Sequence, residues 1–416
     1  MQEVVITGVG IACPLGVGRE AVWSAIKNRQ SGVREIERLS QANYPIPIGG
    51  EVLDFQPKQY VKPRKSLKVM NRETQLGFTA AELAWADASL DDATLDPERL
   101  GVMVGTNSFR SQLEDLTDLY QTATSCGQFD FSRWGEAMRE MYPLWMLKYL
   151  PNMTCCHIGI AHDVRGPINT IVEGNVSSLM AIIEAADVIA RGHADVVIAG
   201  GASSMLSAVD LVWHGGAEMS HNVANPAAAC RPFEAARDGT ATSEGAGMFV
   251  LESRGHAERR GARRQGKILG YGRRCEPCAA TLKPSGQAIR QAIEASLEMG
   301  QLAPDEIGHI NAHGLATVDD DVIEARAIEQ TLGNVPVTAP KSFFGNLGAA
   351  GGAVELAISL LGMQHGVVPP TLNYEQPDPV CPVNVVSEAQ PSRASTVLAL
   401  NHKLTGQAVA LVVDTE

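Results

Sequence analysis

The stretch PINTIVEGNVSSLMAI, residues 167–182, decides the fold. It opens as a β-branched run, and Glu173-Gly174-Asn175 turns it directly into a segment with helical spacing. Leu179, Ile182, Ile183, Ala186 and Ala190 fall at i, i+3, i+4, i+7 and i+11, and Gly192 is placed to stop the helix. A strand that turns sharply into a helix N-terminus exposes one side chain where unpaired N–H groups and the helix dipole favour negative charge. A cysteine there becomes a good thiolate. Asn175 cannot, because an amide neither deprotonates near neutral pH nor forms a labile acyl bond.

Outward from this turn, short β-branched or glycine-ended runs alternate with longer helical patterns, which predicts a layered α/β architecture. Strands are expected at 4–12, 100–106, 168–172, 195–201 and 248–253. After the basic stretch HAERRGARRQ a second series follows at 267–272, 309–314, 335–340, 396–401 and 408–414. Five strands in each half point to a duplication, with halves expected at 1–254 and 255–416. Ile289, Ala292, Ile293 and Leu297 repeat the helical spacing, and GGAVELAISLLGM at 351–363 is apolar nearly all round, which predicts a buried central helix. The polar and aromatic stretch 107–150 shows no clear strand, so it is expected outside the sheet, over the site or over a partner interface.

Composition bounds the function. The 416 residues are 45% hydrophobic and 19% charged, and their 40 glycines follow no period, which reads as compact globular. A net charge of −13 argues against nucleic acid or an anionic membrane as main partner. No window approaches the ~18 to 20 unbroken apolar residues of a membrane span. The N-terminus enters a strand-like run within three residues and carries no secretory pattern, so a cytoplasmic protein with reduced thiols is expected. Cys275 and Cys278 form a C-x-x-C, but no second pair at zinc-finger spacing accompanies them, and neither a metal nor a cofactor is expected.

Several stretches, in order and spacing, carry a resemblance: VVITGVGIACPLG at the start, PNM at 151–153, RGP at 165–167, ADVVIAGGAS at 194–203, RPFEAARDG followed by EGAGMFVLE at 231–252, NAHG at 311–314, KSFFGNLGAAGG at 341–352 and VVPPTLNYEQPDP at 367–379. On these the chain resembles the β-ketoacyl-acyl carrier protein synthases of the thiolase superfamily, which implies a thiolase-like, duplicated α-β-α-β-α layered α/β fold. In that family an elbow cysteine takes the acyl chain and two histidines assist malonyl decarboxylation and stabilise the enolate. The resemblance places Asn175 on the cysteine, His313 of NAHGLAT on the first histidine and Asn346 of KSFFGN on the second, and it keeps Lys341, the site's electrostatic support. It also places Asn401-His402-Lys403-Leu404-Thr405-Gly406-Gln407 on a glycine-rich loop that supplies an oxyanion-hole N–H and a gating phenylalanine, and Gly105-Thr106-Asn107-Ser108 on another glycine-rich loop. Asp321, Glu324, Gly245 and Gly247, scaffold residues of the family, are kept.

Each residue also has a structural reading. Asn175 would cap the following helix, His313 would be a satisfied buried histidine, and Lys341 would pair with Glu324. Asn346 would hold the hydrogen bonds of a polar pocket. Ser177 and Ser178 would bond locally to backbone, and Cys155 and Cys156 would pack on a buried helix.

What the resemblance implies about function is a ketosynthase-like protein without condensing chemistry of its own. It would serve as a chain-length-factor-type partner of an active β-ketoacyl synthase in type II polyketide or fatty-acid-like biosynthesis. The alternatives are a malonyl-carrier-protein decarboxylase, with the Asn175 amide polarising the thioester, and a condensing synthase with an unusual site. The implied partners are an acyl carrier protein and either an active ketosynthase subunit or a second copy. Two basic clusters, Lys62, Arg64, Lys65 and Lys68, and Arg259, Arg260, Arg263 and Arg264, are the candidates for touching an acidic carrier or a partner subunit.

Overall fold

The structure is a computed structural model and describes residues 2–91, 94–214, 218–278 and 283–415. Ten strands carry the architecture. In the first half these are β1 (Val4–Cys13), β2 (Leu100–Gly105), β3 (Ile168–Ile171), β4 (Val196–Ser204) and β5 (Glu244–Ser253). In the second they are β6 (Gly266–Cys275), β7 (His309–Asn311), β8 (Pro336–Thr338), β9 (Thr396–His402) and β10 (Gln407–Asp414). All ten expected runs are strands.

The first half runs in the order β3-β2-β4-β5-β1 and the second in the order β8-β7-β9-β10-β6. Within each, the first two contacts are parallel and the last two antiparallel. Order and sense repeat strand for strand, so the fold is duplicated. The halves meet where β1 and β6 pair at Val5–Lys267 and Ile6–Gly266.

Six helices complete the layers: α1 (Arg72–Asp87), α2 (Met153–Ala161), α3 (Ser177–Ala190), α4 (Gln287–Gly300), α5 (Val318–Leu332) and α6 (Gly351–Gln364). Helix α1 packs on β1, β4 and β5 of the first half, whereas α4 packs on β6 and β10 of the second. Helices α3 and α6 touch each other and strands of both halves, so they form the middle layer. That position explains the composition of α6: every residue from Gly351 to Gly362 is buried. A helix flanked by protein on all sides has no polar face to show to water. One continuous core, from Ile6 and Ile11 through Ile182 and Leu356 to Leu411, runs through this layer.

Residues 107–150 lie off the main sheet in short helical turns around a small core of Leu119, Ala123 and Ala137, with a two-residue hairpin at Thr124–Ser125 and Gln128–Phe129. Helix α2 is not fully buried as expected. Cys155 faces inward, but Ile160 is 78% exposed. Among the described residues no helix is long and apolar enough to cross a membrane.

Candidate functional site

The C-terminal ends of β2, β3 and β4 lie together, and the chain leaving β3 builds the site there. Gly174 takes φ +57°, a conformation that glycine adopts without steric penalty, and starts a tight 3₁₀ turn, Gly174–Val176, ahead of α3. Asn175 rides on this turn. It is therefore not the helix N-cap expected from sequence. No side chain caps α3; Ser177, its first residue, instead ties the turn back to the strand, its Oγ accepting from the Glu173 N–H at 2.8 Å, while the Ser178 hydroxyl reaches across to accept from Ala353 N–H at 3.0 Å. Gly105, at the end of β2, lets α3 sit against the sheet: a Cβ there would fall 2.5 Å from the Ser177 carbonyl carbon.

Opposite Asn175 stands His313, 1% exposed, on the loop after β7. Glu324 of α5 holds that loop, accepting from the His313 N–H at 2.6 Å and the Gly314 N–H at 2.8 Å. Lys341 Nζ donates to the His313 carbonyl at 2.8 Å and stands 3.0 Å from its Nδ1, and Asn401 Nδ2 stands 3.1 Å from the same Nδ1. A lysine ammonium has only protons to give, and the Asn401 amide nitrogen is committed as a donor because it also bonds Glu355 Oε2 at 3.0 Å. Two donors on Nδ1 make it the acceptor and leave the ring proton on Nε2. The Asn175 amide nitrogen lies 3.3 Å from that Nε2. Two donors cannot bond each other, so the sterically equivalent half-turn of the amide, presenting Oδ1 to the Nε2–H, is the bonded arrangement.

Electrostatics agree with a neutral ring. Burial pushes the His313 pKa well below the usual histidine range, and the charges of Lys341 and His402 push the same way. Lys341 is ion-paired with Glu355, not with Glu324 as expected, both side chains being almost fully buried. Burial raises the Glu355 pKa, and Lys341 and Asn401 oppose that rise. Glu355 is the single carboxylate in an otherwise apolar helix, and a buried carboxylate requires a cation.

His402 completes the cluster, its ring 4.7 Å from that of His313 and inclined at 64°. Burial alone would lower its pKa, but Glu324, 3.7 Å away, and Asp320 outweigh burial and raise it. The Lys403 N–H is used within the β9–β10 hairpin, donating to Gln407 O at 2.9 Å, and the Lys403 ammonium lies 3.8 Å from Glu173. These groups wall a cavity of about 170 Å³ bounded by Asn175, Glu218, His313, His402, Lys403 and Leu404. Two larger grooves, about 570 Å³ beside Trp23 and about 560 Å³ beside Arg99, contain none of these residues.

Of the four residues singled out in the sequence, Asn175, His313 and Lys341 meet here and Asn346 does not. Asn346 folds onto its own turn, its Oδ1 accepting from the Gly348 N–H at 2.9 Å. No cysteine lines the cavity among the described residues. Burial holds the thiols of Cys13 and Cys381 up at about 12 and those of Cys155 and Cys230 up at about 11, far from thiolate character. The arrangement offers a neutral imidazole whose Nε2–H is directed at the Asn175 amide on the wall of a small cavity.

A sequence model of the N-terminal domain of β-ketoacyl synthases matches residues 1–257, and one of their C-terminal domain matches residues 265–375. The chain belongs to the β-ketoacyl synthase family. It is 34% identical, over 99% of its own length and 97% of the other's, to the tetracenomycin polyketide synthase ketoacyl synthase alpha subunit of Streptomyces glaucescens. Among solved structures it is similar to the ishigamide ketosynthase/chain length factor (27% identity, TM-score 0.85, 100% of this chain and 99% of the other). It is also similar to a type II polyketide ketosynthase in complex with its acyl-carrier protein (25% identity, TM-score 0.81, 100% and 99%).

For this β-ketoacyl synthase-family chain the sequence reading missed Glu355, although an acid alone in an apolar run was a signal, and it named His402 only as part of the 401–407 loop, whereas β9 sets its ring beside His313. The basic clusters also separate. Lys62, Arg64, Lys65 and Lys68 directly precede α1, whose first residue Arg72 pairs with Glu244 at the site end of β5. The arginines at 259–264 follow the far end of β5, about 30 Å away by strand length, and Arg260 is tied there to Glu252 and to the Ala88 carbonyl.

Proposed function

We propose that this chain is a ketosynthase-family subunit without condensing chemistry of its own, a chain-length-factor-type partner of a cysteine-bearing β-ketoacyl synthase acting with an acyl carrier protein in type II polyketide or fatty-acid-like biosynthesis. The observation that carries the proposal is the partner of His313. Its Nε2–H meets the Asn175 amide, a group that cannot take an acyl chain. Two further features support it. The Lys403 N–H, on the loop aligned with the family's oxyanion loop, is spent on Gln407, so it is not free to polarise a thioester carbonyl. Strand β3 is an edge strand with unpaired backbone, flanked by exposed Ile160, Ile168 and Val172, as a surface covered by a second subunit would be. The pairing named in the ishigamide structure and the carrier complex of its relative suit this reading, and the Lys62–Lys68 cluster at the site end suits an acidic carrier.

The test is co-expression with cysteine-bearing ketosynthases. An equimolar complex is expected, with an intact mass for this subunit that does not change on incubation with acyl-carrier protein. A stoichiometric acyl adduct on this chain would overturn the proposal. One observation favours a second reading, decarboxylation of a malonyl-carrier protein: the retained Nε2–H donor of His313 could polarise a thioester carbonyl once Asn175 swings aside. In that case the isolated chain releases carbon dioxide and His313→Ala stops it.

A further inference from the structure

The Cys275-Glu276-Pro277-Cys278 stretch leaves β6 along the tip of the β9–β10 hairpin, rung by rung. Cys275 pairs with Gln407, the Glu276 N–H donates to Gly406 O at 3.0 Å, and the Cys278 thiol donates to Leu404 O at 2.9 Å. The contact is close. Gly406 takes φ +91°, and a Cβ there would fall 2.2 Å from the Glu276 carbonyl oxygen. Glu276 is held in turn by the N–H groups of Ser285 at 2.8 Å, Gly286 at 3.1 Å and Ala288 at 3.2 Å. The tip residues Lys403 and Leu404 are wall residues of the cavity that contains Asn175 and His313. Both residues of the pair are exposed, whereas Cys13, Cys155, Cys230 and Cys381 are buried.

We propose that Cys275 and Cys278 form an oxidation site for low-molecular-weight disulfides, and that closing this bridge releases the hairpin tip from the cavity it walls. Residues 276–278 make no turn, and three extended steps separate the two Cα atoms by about 10 Å. A disulfide needs roughly 4.4 to 6.8 Å. The bridge therefore forms only if Glu276-Pro277 folds back, and folding back undoes the Glu276–Gly406 and Cys278–Leu404 bonds together. The chemistry is thiol–disulfide exchange. One cysteine, having given its proton to solvent, attacks the small disulfide and expels one thiolate. The other, likewise deprotonated, attacks the resulting mixed disulfide, so the protein loses two electrons and two protons and the oxidant leaves as two thiols. The proposal holds whichever activity the cavity serves.

Full-length protein treated with oxidised glutathione tests it, with Cys126, the remaining exposed thiol, replaced by serine. The expected product is lighter by about 2 Da, two hydrogens, with a peptide map linking Cys275 to Cys278 and full reversal by a reductant. Amide hydrogen exchange at Glu276, Lys403 and Gly406 is expected to speed up about tenfold or more on oxidation, with β5 amides unchanged. Cys278→Ser keeps a donor for Leu404 but cannot bridge, so its hairpin exchange should ignore the oxidant. Glutathione adducts that persist without a 275–278 link, or a link that leaves hairpin exchange unchanged, would overturn the proposal.

Discussion

At His313 the hydrogen-bond partners alone decide the tautomer, because Lys341 and Asn401 both bring donors to Nδ1. Replacing Lys341 with methionine should leave Glu355 as an uncompensated buried carboxylate, at a cost of about 3 to 5 kcal/mol in urea unfolding. The double replacement with Glu355→Gln should recover much of that loss, and a single-mutant cost below ~1 kcal/mol would refute the pairing as a structural element. Asn175→Cys alone should not produce a condensing enzyme, because Asn346 caps its own turn and the Lys403 N–H stays in the hairpin. Robust chain elongation by purified Asn175→Cys protein would show that those two features are unimportant. His402 makes a prediction about pH. Its folded pKa is raised, against burial, by Glu324 and Asp320, so its share of stability is fully present below the unfolded histidine value and is lost as pH rises through the folded one. Urea midpoints should fall across that interval, and His402→Gln should flatten the slope there.

Among the elements, α6 and the end of β2 are the most constrained. Leu356 is fully buried in a helix enclosed by both halves, so Leu356→Ala should cost about 2 to 5 kcal/mol with an unchanged denaturant slope. A measured loss under 1 kcal/mol would mean that the middle layer collapses around the gap. Gly105→Ala should destabilise by about 1 to 3 kcal/mol, because its new methyl meets the backbone of the first turn of α3. That substitution pushes directly on the turn that presents Asn175, so it also tests whether the elbow is held from below.

For the molecule as a whole, the surface prediction concerns the open edge at β3. Ile160 and Ile168 are 78% and 47% exposed. Ile160→Asp with Ile168→Asp should abolish association with a second subunit while leaving the circular dichroism spectrum and thermal midpoint of the single chain unchanged. A double mutant that still elutes as a dimer would place the interface elsewhere.

Strand positions, the helix after the Asn175 elbow and the buried character of α6 were legible in the sequence, because each follows from local periodicity, and the strand pattern repeats in the second half. Asn175, His313 and Lys341 were legible as candidates through their motifs. Their partners were not. Glu355 rather than Glu324 beside Lys341 and the His402 ring beside His313 depend on how separate elements stack against the middle layer, and Asn346 is bonded within its own turn. Periodicity reports which face of an element is buried and is silent on what it is buried against. For a charged or polar side chain in a low-dielectric interior, that neighbour determines protonation, orientation and chemistry.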